Sequence, residues 1–525
     1  MKILITDPVD PQCSEILRAE GFHVDVRTGL QPSEVQSAIP EYEALIVRSS
    51  TDVTPDIIHA GTKLKVIGRA GAGVDNIDVQ AATRHGIIVM NTPGGNTIST
   101  AEHTMSLLLA LARNIPQAHQ SLQKGKWERK AFIGTELAGK TIGVLGLGKV
   151  GKEVARRCLA FDMVVLGYDP VVSREAASKL NIELLDLQQV LKRSDFVTVH
   201  TPLNEETRGL LGEETLSLCK PGVRIINCAR GGIVDETALR KALERGHVAG
   251  AALDVYENEP PGDNPLLQHP HVVATPHLGA STEEAQEKVA VQIAHQVADV
   301  LHGRGVSGSV NADAIQLSMQ GDLQPYLVLA EKLGALTAQL MQGKLRAVNV
   351  VMSGDVLQKS GPVILAAVLK GIFESLLSEP VNYINAPLIA QERGILSSDS
   401  RERENIVYTN LVRVQYETDK EKRVLNGTVF GHHNVRVVGL DSFHFEVNPE
   451  GHMLFYYNAD RPGMLAAVGT ILSKENINIA GVALGRSAVG GKALTIMNLD
   501  NSFSQGVLEK ILKIEGVSEA RLVKI

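Results

Sequence analysis

The stretch 140–169 constrains this chain more than any other. Thr141, Ile142, Gly143, Val144 and Leu145 form a short, partly β-branched apolar run, the pattern of a buried strand. Gly146, Gly148 and Gly151 follow at Gly-x-Gly-x-x-Gly spacing, and residues 152–160 carry a helical pattern. A second apolar run, 163–168, ends on Asp169. Strand, glycine turn, helix, strand and acid in that order make the fingerprint of a dinucleotide-binding βαβ unit. Each residue type has a physical reason. Gly146 permits the tight turn, Gly148 lets a pyrophosphate approach the backbone, and Gly151 lets the helix pack close to the strand. The helix start offers unpaired N–H groups and a positive dipole end to phosphates. Asp169 can accept hydrogen bonds from both hydroxyls of an adenosine ribose and repel a 2′-phosphate, which favours NAD over NADP. Arg174, a few residues on, works against that preference.

A chain of 525 residues exceeds what one core supports, so roughly three or four domains are expected. Its 44% hydrophobic and 21% charged residues are ordinary for a globular protein. A net charge of −7 offers no cationic footprint for nucleic acid, and one Trp offers no stacking platform for single strands. Cys13, Cys158, Cys219 and Cys228 lack Cys-x-x-Cys spacing. They point to a reducing compartment, the cytoplasm, and to no disulfide framework. No metal-ligand spacing stands out, so no metal is expected. The first residues read as a strand too short for a signal-peptide core. No apolar run reaches the roughly 18 residues of a membrane span.

Residues 1–98 alternate short apolar strands (3–5, 23–26, 44–47, 65–68, 87–90) with helical stretches, including one over 14–20. This rhythm predicts a parallel sheet with helices on both faces. The loops at 48–51 and 69–76 follow strand ends, where ligands bind, and backbone N–H groups at 71–74 suit an anion. Residues 91–97 read as a crossing between domains, and a long apolar helix follows over about 100–113. Beyond Asp169, strands are expected at 196–200, 223–229, 251–255 and 272–275, with a helix over 186–193. The polar clusters after the last three should share one sheet edge. Ser281 and Thr282, followed by Glu283 and Glu284, open a helix towards Leu301 that returns the chain to the first domain. Residues 302–310 read as the linker out. Between 315 and 450, helical stretches (325–341, 362–377) precede strands (406–418, 423–430, 435–447), an α+β pattern. From 451 the order is β-α-β-β-α-β, a ferredoxin-like fold. The domains are thus expected at 1–98 plus 283–310, 99–282, 315–450 and 451–525.

A hydride acceptor in a cleft implies an alcohol–ketone substrate. That chemistry needs one group able to take or give the hydroxyl proton, and histidine does both near neutral pH. His277 follows one strand end and Glu259 another; a carboxylate beside an imidazole fixes its tautomer and favours its charged form. Arg230, after a third strand, can bind a substrate carboxylate through two parallel hydrogen bonds. From the residues alone the alternatives stay open. His200 is a competing base, Arg230 a surface ion-pair partner, and Glu259 a solvated turn acid.

At these residues the chain resembles the D-isomer-specific 2-hydroxyacid dehydrogenases: in the glycine turn, Asp169, residues 227–232, residues 253–260 and residues 275–279. The resemblance puts the catalytic set on Arg230, Glu259 and His277. It puts cofactor contacts on Lys149, Val150, Asp169, Thr201, Cys228, Ala229, Arg230, Asp254, His277, Gly279 and Ala280, beside Gly146, Gly148 and Gly151. Substrate contacts fall on Arg48, Ser49, Gly71, Gly73, Val74 and Asn96. The implied fold is a flavodoxin-like substrate domain and a Rossmann NAD domain, both doubly wound, then an α+β intervening domain and a βαββαβ ACT domain. Nearly the whole chain resembles the family's long members, for which the implied reaction is NAD-dependent oxidation of 3-phospho-D-glycerate to 3-phosphohydroxypyruvate, the entry to serine synthesis. That substrate carries a carboxylate and a phosphate, so a second cation is needed beside Arg230. Arg48 fits; Arg129 and Lys130 serve as well, in their own or a neighbouring subunit's site, or are solvated surface charge. The ACT resemblance implies a serine effector at Asn458, Asp460 and Asn478, in a homo-oligomer, dimer or tetramer. Two competing readings are a glyoxylate or hydroxypyruvate reductase and a redox-sensing binding protein.

Overall fold

The computed structural model describes residues 1–312, 321–358, 360–378, 380–402 and 407–525. The expected starts at Ile315 and Ile406 lie outside the described residues. Four sheets carry the chain. The first holds β1 (Lys2–Ile5), β2 (His23–Val26), β3 (Ala44–Val47), β4 (Val66–Arg69) and β5 (Ile88–Met90), in the order β2-β1-β3-β4-β5, all parallel. That is the flavodoxin-like order. Its inner strands are buried on both faces, which is why they read as apolar runs, whereas the edge strand β2 is partly exposed.

The second sheet holds β6 (Thr141–Leu145), β7 (Val164–Tyr168), β8 (Glu183–Leu184), β9 (Phe196–Val199), β10 (Val223–Asn227), β11 (Val248–Leu253) and β12 (Val272–Ala274). Its order is β12-β11-β10-β9-β6-β7-β8, all parallel, a Rossmann arrangement that reverses direction at β6. The helix Thr97–Arg113, one turn longer than expected, enters this unit and buries Ala101, Leu108 and Leu111 in its core.

The helix Glu283–His302 returns the chain to the first sheet. Thr282 Oγ1 accepts from Ala285 N–H at 3.2 Å, Glu283 and Glu284 occupy the first turn, and Gly303 ends the helix at φ +70°. Val289, Ile293 and Val297 lie on one face at helical spacing and enter the first sheet's core. Gly68 on β4 lets this helix close in: a Cβ there would sit 2.8 Å from Val297 Cγ2. The stretch 302–310, expected as a free linker, is instead tied to β5. Met90 and Ser309 form an antiparallel bridge, and Val310 N–H donates to Val89 O at 2.7 Å. The exposed edge of β5 supplies the unpaired groups that hold it.

The third sheet holds β13 (Leu345–Ser353), β14 (Leu396–Arg401), β15 (Leu411–Thr418), β16 (Lys422–Phe430), β17 (Asn434–Leu440) and β18 (Phe443–Val447). Its order is β14-β13-β15-β16-β17-β18. The expected single strand over 435–447 is a hairpin, because Asp441 takes φ +53° and turns the chain. The fourth sheet, β19 (His452–Ala459), β20 (Ile479–Arg486), β21 (Lys492–Leu499) and β22 (Val517–Lys524), has the antiparallel order β20-β21-β19-β22. Its helices Met464–Lys474 and Gln505–Leu512 cover one face. Met453, Phe455 and Tyr457 on the other face join the core of the third sheet. Among the described residues, no helix is long and apolar enough to cross a membrane.

Candidate active site

Where a parallel sheet reverses its strand order, the flanking loops splay apart and leave a crevice at the carboxyl ends. Here that crevice opens between the first two sheets as a cleft of about 380 Å³. A cavity of about 470 Å³ lies elsewhere, between β18 and β20, but lacks this convergence of histidine, arginine and glycine turn.

The phosphate-binding turn is built by the glycines. Gly146 adopts φ +96°. A Cβ on Gly151 would lie 1.9 Å from Gly146 O, so only glycine allows the helix Lys149–Ala160 to start there. A Cβ on Gly148 would meet nothing within 4 Å, so the space in front of that helix start is open. Asp169 Oδ2 accepts from Leu147 N–H at 2.8 Å and Oδ1 from Val171 N–H at 2.8 Å. Burial pushes the Asp169 carboxyl up, but these N–H donors outweigh it and hold it below the usual range. Among the described residues Thr201 Oγ1 has no hydrogen-bond partner, and it is buried in the cleft wall where a ligand could reach it. Open helix start, tight glycine turn, acid at the second strand and unpartnered hydroxyl together fit a dinucleotide.

Loops after β10, β11 and β12 bring the three expected catalytic residues to one edge. His277 Nδ1 lies 2.6 Å from Glu259 Oε2. Glu259 Oε1 accepts from Tyr256 N–H at 3.1 Å, and Tyr256 Oη donates to Thr275 O at 2.8 Å. Burial raises the Glu259 carboxyl, but the His277 imidazole and the Tyr256 N–H bring it net below its ordinary value. Among the described residues nothing bonds His277 Nε2, which leaves that nitrogen to a ligand. Asn227 locks the Arg230 loop: its Nδ2 donates to Arg230 O at 2.9 Å and its Oδ1 accepts from Ala229 N–H at 3.0 Å. A Cβ on Gly231 would fall 1.7 Å from Tyr256 O, so two of the three loops touch backbone to backbone. His200 is half-buried and also lines the cleft; burial lowers it to about 3, so it is neutral, and its Nε2 lies 2.9 Å from Thr198 Oγ1.

The cleft is lined by Gly73, Val74, Asn96, Val150, Thr201, Cys228, Ala229, Arg230, Asp254, His277, Gly279 and Ala280. Asp254 is buried, with its oxygens filled by Leu278 N–H (2.7 Å), Thr275 Oγ1 (2.6 Å), Gly279 N–H (2.8 Å) and His103 Nε2 (3.1 Å). It shapes the His277 loop from behind. Lys149 Nζ donates to Pro93 O at 3.0 Å, across to the interdomain crossing. Arg48, Ser49 and Gly71 lie outside the cleft lining: Arg48 Nη1 donates to Pro8 O at 3.2 Å. Arg129 and Lys130 stand exposed on the short turn Arg129–Phe132, away from their own chain's cleft.

Three residues that the sequence reading did not single out stand on the first sheet's side of the cleft: Arg69, Asp7 and Asp75. Arg69, at the end of β4, has Nε donating to Asn76 Oδ1 at 2.8 Å, and a Cβ on Gly71 would touch its Nη1 at 2.6 Å. Burial, with Arg230 nearby, lowers Arg69 below the ordinary arginine value. Asp7 collects the N–H groups of Arg48, Ser50 and Thr51. Asp75 pairs with Arg230 across the cleft. For Arg69 the signal was available, a cation at a strand's carboxyl end.

Within the chain the three expected effector residues each bond a different partner. Asn458 is 4% exposed, its Oδ1 accepting from Thr495 Oγ1 at 3.2 Å within the sheet. It is placed there because β19 is covered on both faces. Asp460 Oδ2 accepts from Gly490 N–H at 3.0 Å, while Asn478 Nδ2 donates to Asp500 Oδ2 at 2.8 Å.

Comparison with known proteins agrees with this architecture. Residues 105–279 match the NAD binding domain of D-isomer specific 2-hydroxyacid dehydrogenases. Residues 322–441 match the D-3-phosphoglycerate dehydrogenase intervening domain, and 452–516 match the ACT domain. The D-3-phosphoglycerate dehydrogenase of Archaeoglobus fulgidus is 45% identical over 100% of both chains. That of Bacillus subtilis is 41% identical over 100% of this chain and 99% of its own. Among solved structures, the TT0316 protein of Thermus thermophilus superposes with TM-score 0.55 at 35% identity, covering 59% of this chain and 100% of that one. A D-lactate dehydrogenase of Aquifex aeolicus, complexed with NAD and lactic acid, superposes with TM-score 0.53 at 29% identity, over 58% and 96%. Identity of this extent along the whole length, with the hydroxyacid-dehydrogenase, intervening and ACT matches in series, means that the chain belongs to the D-3-phosphoglycerate dehydrogenase family.

Proposed function

We propose that this protein oxidises 3-phospho-D-glycerate at its hydroxyl-bearing carbon to 3-phosphohydroxypyruvate, with NAD as acceptor, at the head of serine synthesis. The observation that carries the reading is the His277–Glu259 pair at 2.6 Å, set on the same sheet edge as Arg230 and opening on the cleft beside the glycine turn. Bound in that cleft, NAD supplies a two-electron hydride acceptor. The residues supply binding and proton handling. Arg230 takes the substrate carboxylate, and Arg69 and Arg48 offer positive charge on the side where the phosphate lies. His277 Nε2 accepts the hydroxyl proton as the C–H bond yields its hydride. Glu259, ionised because its partners hold it low, fixes Nδ1–H and stabilises the imidazolium that forms. In reduction the same imidazolium returns the proton.

The closing ACT match supports an amino-acid effector, for which we assign serine, with Asp460 and Asn478 as its contacts. Trp127 and Ile133, 75% and 80% exposed around Arg129 and Lys130, support a homo-oligomer in which those cations reach a neighbouring copy. Four buried free thiols support a cytoplasmic setting. We place the domains at 1–98 plus 283–310, 99–282, 315–450 and 451–525, a division that the grouping of the strands into four sheets supports.

The test is NADH formation from 3-phosphoglycerate and NAD, followed by absorbance. His277→Ala is expected to lose about 10²–10⁴-fold in kcat. Turnover of glycerate or glyoxylate but not 3-phosphoglycerate would replace the substrate, and natural rates in His277→Ala would remove the proton-transfer role.

A further inference from the structure

The arginine assigned to the substrate carboxylate is already holding a carboxylate. Arg230 Nε donates to Asp75 Oδ2 at 2.9 Å, although the two residues stand 155 positions apart. Asp75 lies in the loop after β4 of the first sheet, and Arg230 in the loop after β10 of the second, so the pair spans the cleft. Arg230 Nη1 donates to Ala229 O at 2.7 Å, which orients the guanidinium plane. The backbone makes room for this pair. A Cβ on Gly73 would lie 2.2 Å from Arg230 Nη2 and 2.6 Å from Asp75 Oδ2, so any other residue there would push them apart.

Three facts decide what such a pair does. The Asp75 side chain is 66% exposed and the contact uses one N–H, so the bond is of the weak, exchangeable kind. The other acid lining the cleft, Asp254, is buried with both oxygens filled, so Asp75 is the carboxylate there that can let go. Lastly, the surrounding charge is cationic, with Arg69 held on Asn76 close by, and Asp75 opposes that field where an anion must enter.

We propose that Asp75 is a stand-in for the substrate carboxylate: it holds Arg230 across the cleft in the free enzyme and is displaced when the substrate binds. Resting on the reading of Arg230 as the carboxylate-binding group, this makes Asp75 a specificity-determining residue. It sets a small threshold, which a monoanion reaching Arg230 alone crosses least readily. A substrate that also brings a phosphate to the neighbouring arginines crosses it more readily. The exchange trades one Arg–carboxylate pair for another, so binding costs no unpaired guanidinium.

The test is steady-state kinetics of Asp75→Asn and Asp75→Glu in the full-length protein. Asp75→Asn keeps the shape and removes the charge. KM for 3-phosphoglycerate is expected to fall about two- to fivefold, the scale of an exposed ion pair, with the change in KM and not in kcat. Asp75→Glu keeps the charge on a longer arm, so any fall in its KM is expected to be smaller than in Asp75→Asn. An unchanged or raised KM in Asp75→Asn, or an equal fall in Asp75→Glu, overturns the proposal. A second measurement needs no turnover: modification of Arg230 by phenylglyoxal, followed by peptide mass spectrometry, is expected to run faster in Asp75→Asn. An equal rate overturns the hold itself. Absence of turnover in the natural protein would instead sink the substrate assignment, and the modification rate would then decide the role of Asp75 alone.

Discussion

Asp254 shows how a side chain that lines a site can be held by its own loops. It is buried, and burial alone would raise its carboxyl. The hydrogen bonds from His103, Thr275 and Leu278 reverse that and leave it below the ordinary value. The sign follows. A carboxyl lowered in the fold contributes stability that is complete above its unfolded value of about 3.9 and is lost as pH falls through the lower folded value. Asp254→Asn should therefore lose less stability than the natural protein between neutral pH and about pH 3. At neutral pH it should be weaker by about 1–3 kcal/mol, because an amide turns a donor towards the Gly279 or Leu278 N–H. Thermal unfolding at the two pH values checks both halves, and equal neutral-pH midpoints would sink the argument.

Among the elements, the two long helices of the third unit carry the clearest steric demand. Gln324–Leu340 and Gly361–Leu376 cross at two glycines. A Cβ on Gly334 would lie 2.1 Å from Val368 O, and one on Gly371 2.0 Å from Glu331 O. Gly334→Ala gains about 1 kcal/mol of helix propensity. It also drives a methyl into backbone that cannot rotate away, at about 1–3 kcal/mol or more. The steric cost wins, so the variant should melt lower. A higher midpoint would mean the helices slide apart freely. These helices were legible from their apolar period. Their crossing was not, because a glycine inside a helical pattern reads only as a weak residue. The hairpin β17–β18 was likewise hidden: Asp441 is the residue at positive φ, and Asp in αL carries a weaker turn signal than glycine.

Across the whole molecule, the third unit is docked on the first. Ile384 is buried in the first sheet's core, Asn385 Nδ2 donates to Arg84 O at 3.2 Å, Asn382 Nδ2 donates to Gly86 O at 3.0 Å, and Arg84 pairs with Glu392 at 2.6 Å. The helix Val79–Arg84 begins at the Asp78 cap, just past the loop that holds Asp75 and Asn76. The docking contacts thus touch the short helix that follows the loop holding Asp75 and Asn76. Ile384→Ala should cost about 2–5 kcal/mol of docking. The expected readout is faster hydrogen exchange across Val79–Arg84 with the second sheet unaffected; unchanged exchange there would mean the contact is idle.

The features that the sequence settled by itself are local. Strand, glycine turn, helix and acid at 141–169 need only neighbouring residues, since tight-turn sterics and helix-end dipoles act over a few bonds. The placement of Arg230, Glu259 and His277 after successive strands needed only one more rule, that parallel strands end at a common edge. The run 453–457 even carried the sign that both faces of β19 are covered, being apolar at every position rather than at alternate ones. What the tertiary structure decided are the contacts between segments distant in sequence. Asp254 faces its own loops because the chain from 275 to 279 folds over it. Asn458 is buried because the helices Met464–Lys474 and Gln505–Leu512, later in the chain, cover the face it shares with Leu454 and Tyr456. Asp75 meets Arg230 only once two sheets from separate parts of the chain have come together. Hydrogen bonds and ion pairs are short-ranged, so which of many polar groups become partners is set by packing, and packing is a property of the assembled fold.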